Sequence, residues 1–216
     1  MRLGIFGGSF DPPHIGHLLV AQDAITALSL DQLMVVPAAT QPLKQTHRSE
    51  AAHRLAMVQR CFEGVPHVTV DSVEMDRGGL SFMVDTVDHF RRKFPSAVIH
   101  LLVGEDVVAS LPRWREPERL LSMVDLVVLT RADATGEAAG SGKDVSIRQD
   151  RHDGASVIPS ARYLATRRVD VSSTEIRERV GAGRSIRGFV SDAVAAYIAS
   201  TALYLGDTTE NGSERA

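Results

Sequence analysis

A chain of 216 residues, 44% apolar and 24% charged, fits one globular domain, and its single cysteine, Cys61, excludes a disulfide framework or a thiolate zinc cluster. A formal charge of -3 gives no bulk attraction to nucleic acid or an anionic membrane, and no apolar run approaches the roughly 18 residues that span a bilayer. The first residues hold no long apolar core before Gly7, Asp11 and Pro12, so no signal peptide is expected and the cytoplasm is the expected compartment.

In chain order, residues 2–6 read as a buried strand, and after a glycine-rich turn residues 16–28 read as a helix with a stripe of Leu18, Leu19, Ala21, Ile25 and Leu28. Residues 33–36 form a second strand ended by Pro37, and 37–48 a loop. Ser49 is placed to cap a helix reaching residue 62, with Leu55, Val58 and Phe62 on one face. Residues 68–70 give a third strand. After Gly78 and Gly79, Ser81 is placed to cap a helix to residue 94, with Met83, Val87, Phe90 and Phe94 at helical spacing. Residues 97–103 are apolar enough for a strand buried on both faces. A helix over 116–123 and a strand over 125–130 follow. Residues 132–156 hold Gly136, Gly140, Gly142 and Gly154 with few large apolar side chains, and read as a flexible surface insertion. A last strand at 168–171, helices at 173–180 and 191–200, and a polar, disordered tail at 206–216 complete the prediction. Alternating strands and helices imply an α/β fold: one domain over 1–205, a mainly parallel doubly wound sheet of five to six strands, helices on both faces, and a small C-terminal helical part.

The strongest chemical signal is the run from Gly7 to His17, which carries Gly7-Gly8-Ser9-Phe10, Pro12-Pro13 and His14-x-Gly16-His17. It lies between the first strand and the first helix, the corner where a doubly wound sheet receives phosphates. Glycines let the backbone approach a ligand, and a helix N-terminus attracts anions. His14 and His17, three apart, can face one anion. A metal site is not expected: there is no HExxH and no third ligand at useful spacing. The GxxxxGK[ST] phosphate loop and the GxGxxG dinucleotide fingerprint are both absent. A second signal is Val171-Ser172-Ser173-Thr174-Glu175-Ile176-Arg177. A capping box would explain Ser172 and Glu175. It leaves the further hydroxyls and Arg177 unexplained, and these suit a second anion site.

These two segments resemble the His-x-Gly-His and Ile-Ser-Ser-Thr-x-Ile-Arg motifs of a Rossmann-like nucleotidyltransferase superfamily. Pro42, Lys44, His53-Arg54, Gly78 to Phe82 with Asp85-Thr86, and Gly104-Glu105-Asp106 with Leu111 and Trp114 are similar to one branch, the bacterial nicotinate-mononucleotide adenylyltransferases. The resemblance covers about residues 2–205. It implies transfer of the adenylyl group of ATP to nicotinate mononucleotide, giving deamido-NAD and pyrophosphate, by direct attack without a covalent enzyme intermediate. It implies Mg²⁺ with ATP. Carried over by motif, Gly7, Gly8, Ser9 and Phe10 would line the phosphate corner, and His14, His17, Ser173, Thr174 and Arg177 would hold the phosphates. Lys44 would reach phosphate from its loop, Gly104 and Asp106 would meet the ATP ribose or adenine, and Ser81, Phe82 and Met83 would meet the nicotinate carboxylate. Trp114 would stack on the pyridine ring. The chain departs from the pattern at Ser9 (usually Thr), Leu43 (often His), and Phe82 and Met83 (commonly Tyr and Thr).

No nucleic-acid or membrane partner is expected, and a homodimer is compatible with this reading. His47, His67, His89, His100 and His152 match no usable spacing. Two alternatives stay open: a different acceptor, such as nicotinamide mononucleotide or phosphopantetheine, and a nucleotide-binding module without turnover.

Overall fold

The computed structural model describes residues 1–42, 47–131, 147–148 and 161–206. Its strands are β1 (Arg2–Gly8), β2 (Gln32–Pro37), β3 (Val68–Val70), β4 (Val98–Gly104), β5 (Asp125–Arg131), β6 (Ile147–Arg148) and β7 (Arg162–Thr166). They form one sheet in the order β3-β2-β1-β4-β5-β7-β6, parallel throughout except for β6, which runs antiparallel to β7. The helices are α1 (Ile15–Leu28), α2 (Ala51–Phe62), α3 (Val73–Arg77), α4 (Met83–Lys93), α5 (Glu105–Val108), α6 (Pro117–Met123), α7 (Ser173–Gly181) and α8 (Asp192–Thr201).

Strand side chains alternate between faces, so a strand covered on both sides must be apolar at every position. Leu3, Ile5, Met34, Val36, Leu101, Val103 and Val128 pack with Val84, Val87 and Phe90 of α4. Phe6, Leu33, Val35, Leu102, Val127, Leu129 and Leu164 pack on the other face with residues of α1, α2, α7 and α8. Each such side chain, fully buried, contributes about 2 kcal/mol. Cys61 belongs to the second cluster, and burial pushes its thiol up to about 12.

β1 pairs with β2 on one side and β4 on the other, so the winding direction reverses between β1 and β4. Loops leaving two strands at such a point diverge and open a crevice at the strand C-termini. Gly8 and Gly104 stand at those C-termini.

Several sequence expectations need correction. The last parallel strand is β7, not residues 168–171. Leu164 fills the sheet, while Arg167 is drawn off to Asp23 of α1, with its backbone N–H at 3.2 Å and Nη2 at 2.6 Å from the carboxylate. Ser49 does not cap α2; Glu50 holds that position, and the Ser49 hydroxyl donates to Asp11 Oδ1 at 2.6 Å. Ser81 does not cap α4; Phe82 precedes the helix, and Ser81 Oγ accepts the Ala39 N–H at 2.9 Å. Both serines were claimed by distant polar groups, which local patterns do not display. α1 buries Ala21, Ala24 and Leu28, while Leu18, Leu19 and Ile25 are only half-buried. Within the expected insertion at 132–156, Ile147–Arg148 joins the sheet edge; the rest of it, and residues 207–216 of the expected tail, lie outside the described residues.

Candidate active site

The crevice after β1 and β4 is divided into two cavities that share Gly7, Gly8 and Gly104. The larger, about 1170 Å³, receives His14 and His17 from the start of α1, Asp106 from α5, and Ser173, Thr174 and Arg177 from the start of α7. Ser9 and Phe10 also line it. The smaller, about 220 Å³, is lined by Ser81, Phe82, Met83 and Trp114. All expected site residues are thus assembled around one seam, except Lys44, which lies outside the described residues.

At the α1 start, the His14 backbone N–H donates to His17 Nδ1 at 3.1 Å. A ring nitrogen that accepts an N–H must carry a lone pair, so the His17 proton sits on Nε2. The two rings lie against each other at a tilt of 38° with centroids 3.8 Å apart, and Phe10 meets His17 edge-on at 4.9 Å. A Cβ at Gly16 would lie 3.0 Å from the His14 ring, so the glycine gives that ring its place. At Gly8 a Cβ would meet the Phe10 ring at 2.9 Å, and Phe10 itself adopts φ 49°, a backbone region costly for a bulky side chain.

The start of α7 is bound to the same corner. Ser173 Oγ donates to the Pro12 carbonyl at 2.7 Å, and Arg177 donates to the Asp11 carbonyl at 2.8 Å and to Thr174 Oγ1 at 3.1 Å. Ser172 does cap this helix, accepting the Glu175 N–H at 3.1 Å. The Glu175 carboxylate lies 3.9 Å from Arg179, one turn on. The first backbone bond of α7 runs from Ile176 to Ser172, so the N–H groups of Ser173 and Thr174 precede the helical ladder. Two helix N-termini, α1 and α7, therefore edge one cavity, and both favour anions.

Two buried residues brace these loops. Arg54, 1% exposed, donates to the carbonyls of Ser9 (3.1 Å), Ala38, Ala39 (2.8 Å) and Ser49 (3.4 Å), tying the glycine loop to the loop after β2. Asp11, 4% exposed, accepts the N–H groups of Arg48 (2.6 Å) and Ser49 (3.3 Å) and the hydroxyls of Ser49 (2.6 Å) and Tyr204 (2.7 Å). Burial alone would raise the Asp11 carboxyl; these hydrogen bonds outweigh it and hold the group below the usual range.

Around the smaller cavity, Trp114 Nε1 donates to Ser110 Oγ at 3.2 Å, which fixes the indole. The Arg115 guanidinium lies 4.9 Å over the Phe82 ring. Glu74, 3% exposed, accepts from Thr86 Oγ1 at 2.6 Å. Burial raises its carboxyl, partly countered by hydrogen bonds from Thr86 and Ser81 and by the charge of Arg77. A methyl at Gly7 would meet the tip of the Met83 side chain, Cε, at 2.7 Å, so the two share the same space.

Sequence reasoning missed several lining residues. His47 and Arg48 face the larger cavity, and Glu74, Arg113 and Arg115 the smaller. Arg54 was visible only as part of a His53-Arg54 pair; its burial between four carbonyls carries no local signature. His100 is a core residue near the start of β4, far along the strand from Gly104.

The cytidylyltransferase-like family model matches residues 5–179. The chain is 60% identical over 220 residues to the probable nicotinate-nucleotide adenylyltransferase of Gemmatimonas aurantiaca, covering 100% of both chains. It is 38% identical over 203 residues to the protein of the same name from Albidiferax ferrireducens, covering 94% of this chain and 98% of that one. The fold matches Plasmodium falciparum nicotinic acid mononucleotide adenylyltransferase complexed with NaAD at a TM-score of 0.70 and 17% identity, over 95% of this chain and 98% of that one. By the family model and by these relatives, the chain belongs to the cytidylyltransferase-like family and, within it, to the nicotinate-nucleotide adenylyltransferases.

Proposed function

We infer that this chain transfers the adenylyl group of ATP to nicotinate mononucleotide, giving deamido-NAD and pyrophosphate in NAD biosynthesis. The observation that carries the reading is the junction of an anion-attracting cavity and an aromatic-lined one at Gly7, Gly8 and Gly104. ATP occupies the larger, with its ribose near Gly104 and Asp106. The pyridine ring occupies the smaller, against Trp114 and Phe82. The reacting phosphates meet at the glycine seam.

The attacking group is the 5′-phosphate of the mononucleotide. Its second pKa is about 6, so it is largely a dianion at neutral pH and needs no base. One of its oxygens bonds to the α-phosphorus of ATP, the bond to the β-bridging oxygen breaks, and the electron pair leaves with pyrophosphate. The protein's task is alignment and charge stabilisation. His17 Nε2–H, His14, Arg177 and the two helix N-termini supply positive potential at the phosphates. One such donor is typically worth about 10²–10³ in rate.

The nicotinate carboxylate is assigned to the start of α4. There the first backbone bonds run from Asp85 and Thr86 to the Phe82 carbonyl, so the Met83 and Val84 N–H groups precede the ladder. Backbone donors replace the hydroxyls that Phe82 and Met83 lack.

Mg²⁺ is proposed to enter with ATP, neutralising phosphate charge. The Asp11 carboxylate is fully engaged by its four hydrogen bonds, so the ion fits as part of the nucleotide complex, held by phosphate oxygens and water.

The test is incubation with Mg-ATP and nicotinate mononucleotide. Deamido-NAD and pyrophosphate should form in equal amounts. Labelled pyrophosphate should not exchange into ATP without the acceptor; exchange under that condition would contradict direct transfer.

A further inference from the structure

We propose that Tyr204, next to the C-terminal end of the described chain, is a positioning residue for the phosphate corner, acting through the Asp11 carboxylate. Its hydroxyl donates to Asp11 Oδ1 at 2.7 Å and lies 3.3 Å from Ser49 Oγ. The ring is 7% exposed, and the residue holds φ 65° beyond the end of α8. A tyrosine in that left-handed conformation is unfavourable by itself and persists where its surroundings fix it.

Asp11 joins three distant stretches of chain. Its carboxylate takes the backbone N–H groups of Arg48 and Ser49, and its carbonyl takes the Arg177 guanidinium. His47, Arg48 and Arg177 all line the larger cavity. The direction in which the Asp11 carboxylate points therefore sets where residues 47–49 cross the cavity wall. Tyr204 and the Ser49 hydroxyl both donate to Oδ1, while Arg48 and Ser49 N–H both reach Oδ2. Without the tyrosine hydroxyl, one of the two donors on Oδ1 is lost in a buried site, where a missing partner is costly, and the carboxylate is held less firmly by the three hydrogen bonds that remain.

A second tyrosine provides an internal control. Tyr197 of α8 also bridges the C-terminal part to α2, with its hydroxyl 2.9 Å from His53 Nδ1 and its ring 4.3 Å under Arg60. Neither tyrosine lines a cavity itself, and the hydroxyl of Tyr197 meets His53 rather than Asp11. Both tyrosines tie down the C-terminal helix; only Tyr204 reaches the phosphate corner.

The inference rests on the adenylyltransferase reading for its kinetic arm and is independent of it for its exchange arm. Tyr204→Phe keeps the ring and removes the hydroxyl. Hydrogen exchange at the Arg48 and Ser49 amides should accelerate in Tyr204→Phe and stay at the wild-type rate in Tyr197→Phe. In steady-state assays, Tyr204→Phe should raise KM for ATP about five- to tenfold, the size of one hydrogen bond. Its KM for nicotinate mononucleotide should hold, and Tyr197→Phe should leave both constants unchanged. Unchanged exchange at Arg48 and Ser49 in folded Tyr204→Phe overturns the proposal, as does an equal rise in KM for ATP in both variants. If the wild-type chain transfers no adenylyl group, the functional reading fails, while the exchange comparison still decides the role of Tyr204.

Discussion

The backbone N–H of His14 donates to Nδ1 of His17 at 3.1 Å, so the residue that begins α1 also fixes the tautomer of its partner one turn in. The Nε2–H of His17, a residue that lines the larger cavity, is then a preset donor.

Replacing His17 with Ala should lower kcat about 10²–10³-fold, the usual cost of one charge-stabilising donor. The ring's edge contact with Phe10 is worth about 1 kcal/mol, which corresponds to a Tm decrease of about 2–4 °C. Parallel kinetics and calorimetry check this; a variant that fails to fold at ordinary temperature would show that the ring is chiefly structural.

Gly16→Ala separates stability from activity. Alanine is about 1 kcal/mol better than glycine in a helix, which favours folding. Its Cβ would press the His14 ring at 3.0 Å, so that ring must give way by a few tenths of an ångström. The variant should keep its Tm and lose about tenfold or more in kcat/KM for ATP, since small misplacements of catalytic groups are costly. Retained activity with the same Tm would mean that the ring position is not critical.

Trp114→Ala should raise KM for nicotinate mononucleotide about fivefold and leave KM for ATP unchanged, because stacking on an aromatic face is worth about 1 kcal/mol. Trp114→Phe should recover most of that loss. A parallel rise in both KM values would place the indole outside the acceptor site.

Glu74 predicts a pH dependence of stability. Its folded carboxyl is raised above the ordinary value of 4.5, with burial the main cause. The folded state thus favours the protonated form, and its contribution is fully present below 4.5 and is lost as pH rises through the folded value. Glu74→Gln, which keeps the shape and cannot ionise, should unfold at a higher temperature than wild type near pH 8, with the gap closing near pH 4. A constant difference across that range would contradict the assignment.

The frame of the molecule was legible because periodicity reports burial: five strands were placed to within two residues at each end, and both motifs landed at the switch point. What stayed hidden depends on long-range polar contacts. Ser49 and Ser81 looked like caps, yet Asp11 and the Ala39 N–H claim them across the fold. Residues 168–171 looked like a strand, but Arg167 is held by Asp23, 144 positions away. His47 showed no usable spacing because its loop is aimed by the Asp11 carboxylate, through the Arg48 N–H, rather than by a helix or strand. Arg54 showed only as half of a His53-Arg54 pair, because its four carbonyl partners arise only once two loops meet.

The most direct measurement is pyrophosphate release with Mg-ATP and, in parallel, nicotinate mononucleotide, nicotinamide mononucleotide and phosphopantetheine. Release with the acid mononucleotide, at a kcat/KM well above that for the amide and with none from phosphopantetheine, is the predicted result. Equal use of acid and amide would contradict carboxylate recognition at the start of α4, and release with phosphopantetheine alone would overturn the assigned acceptor.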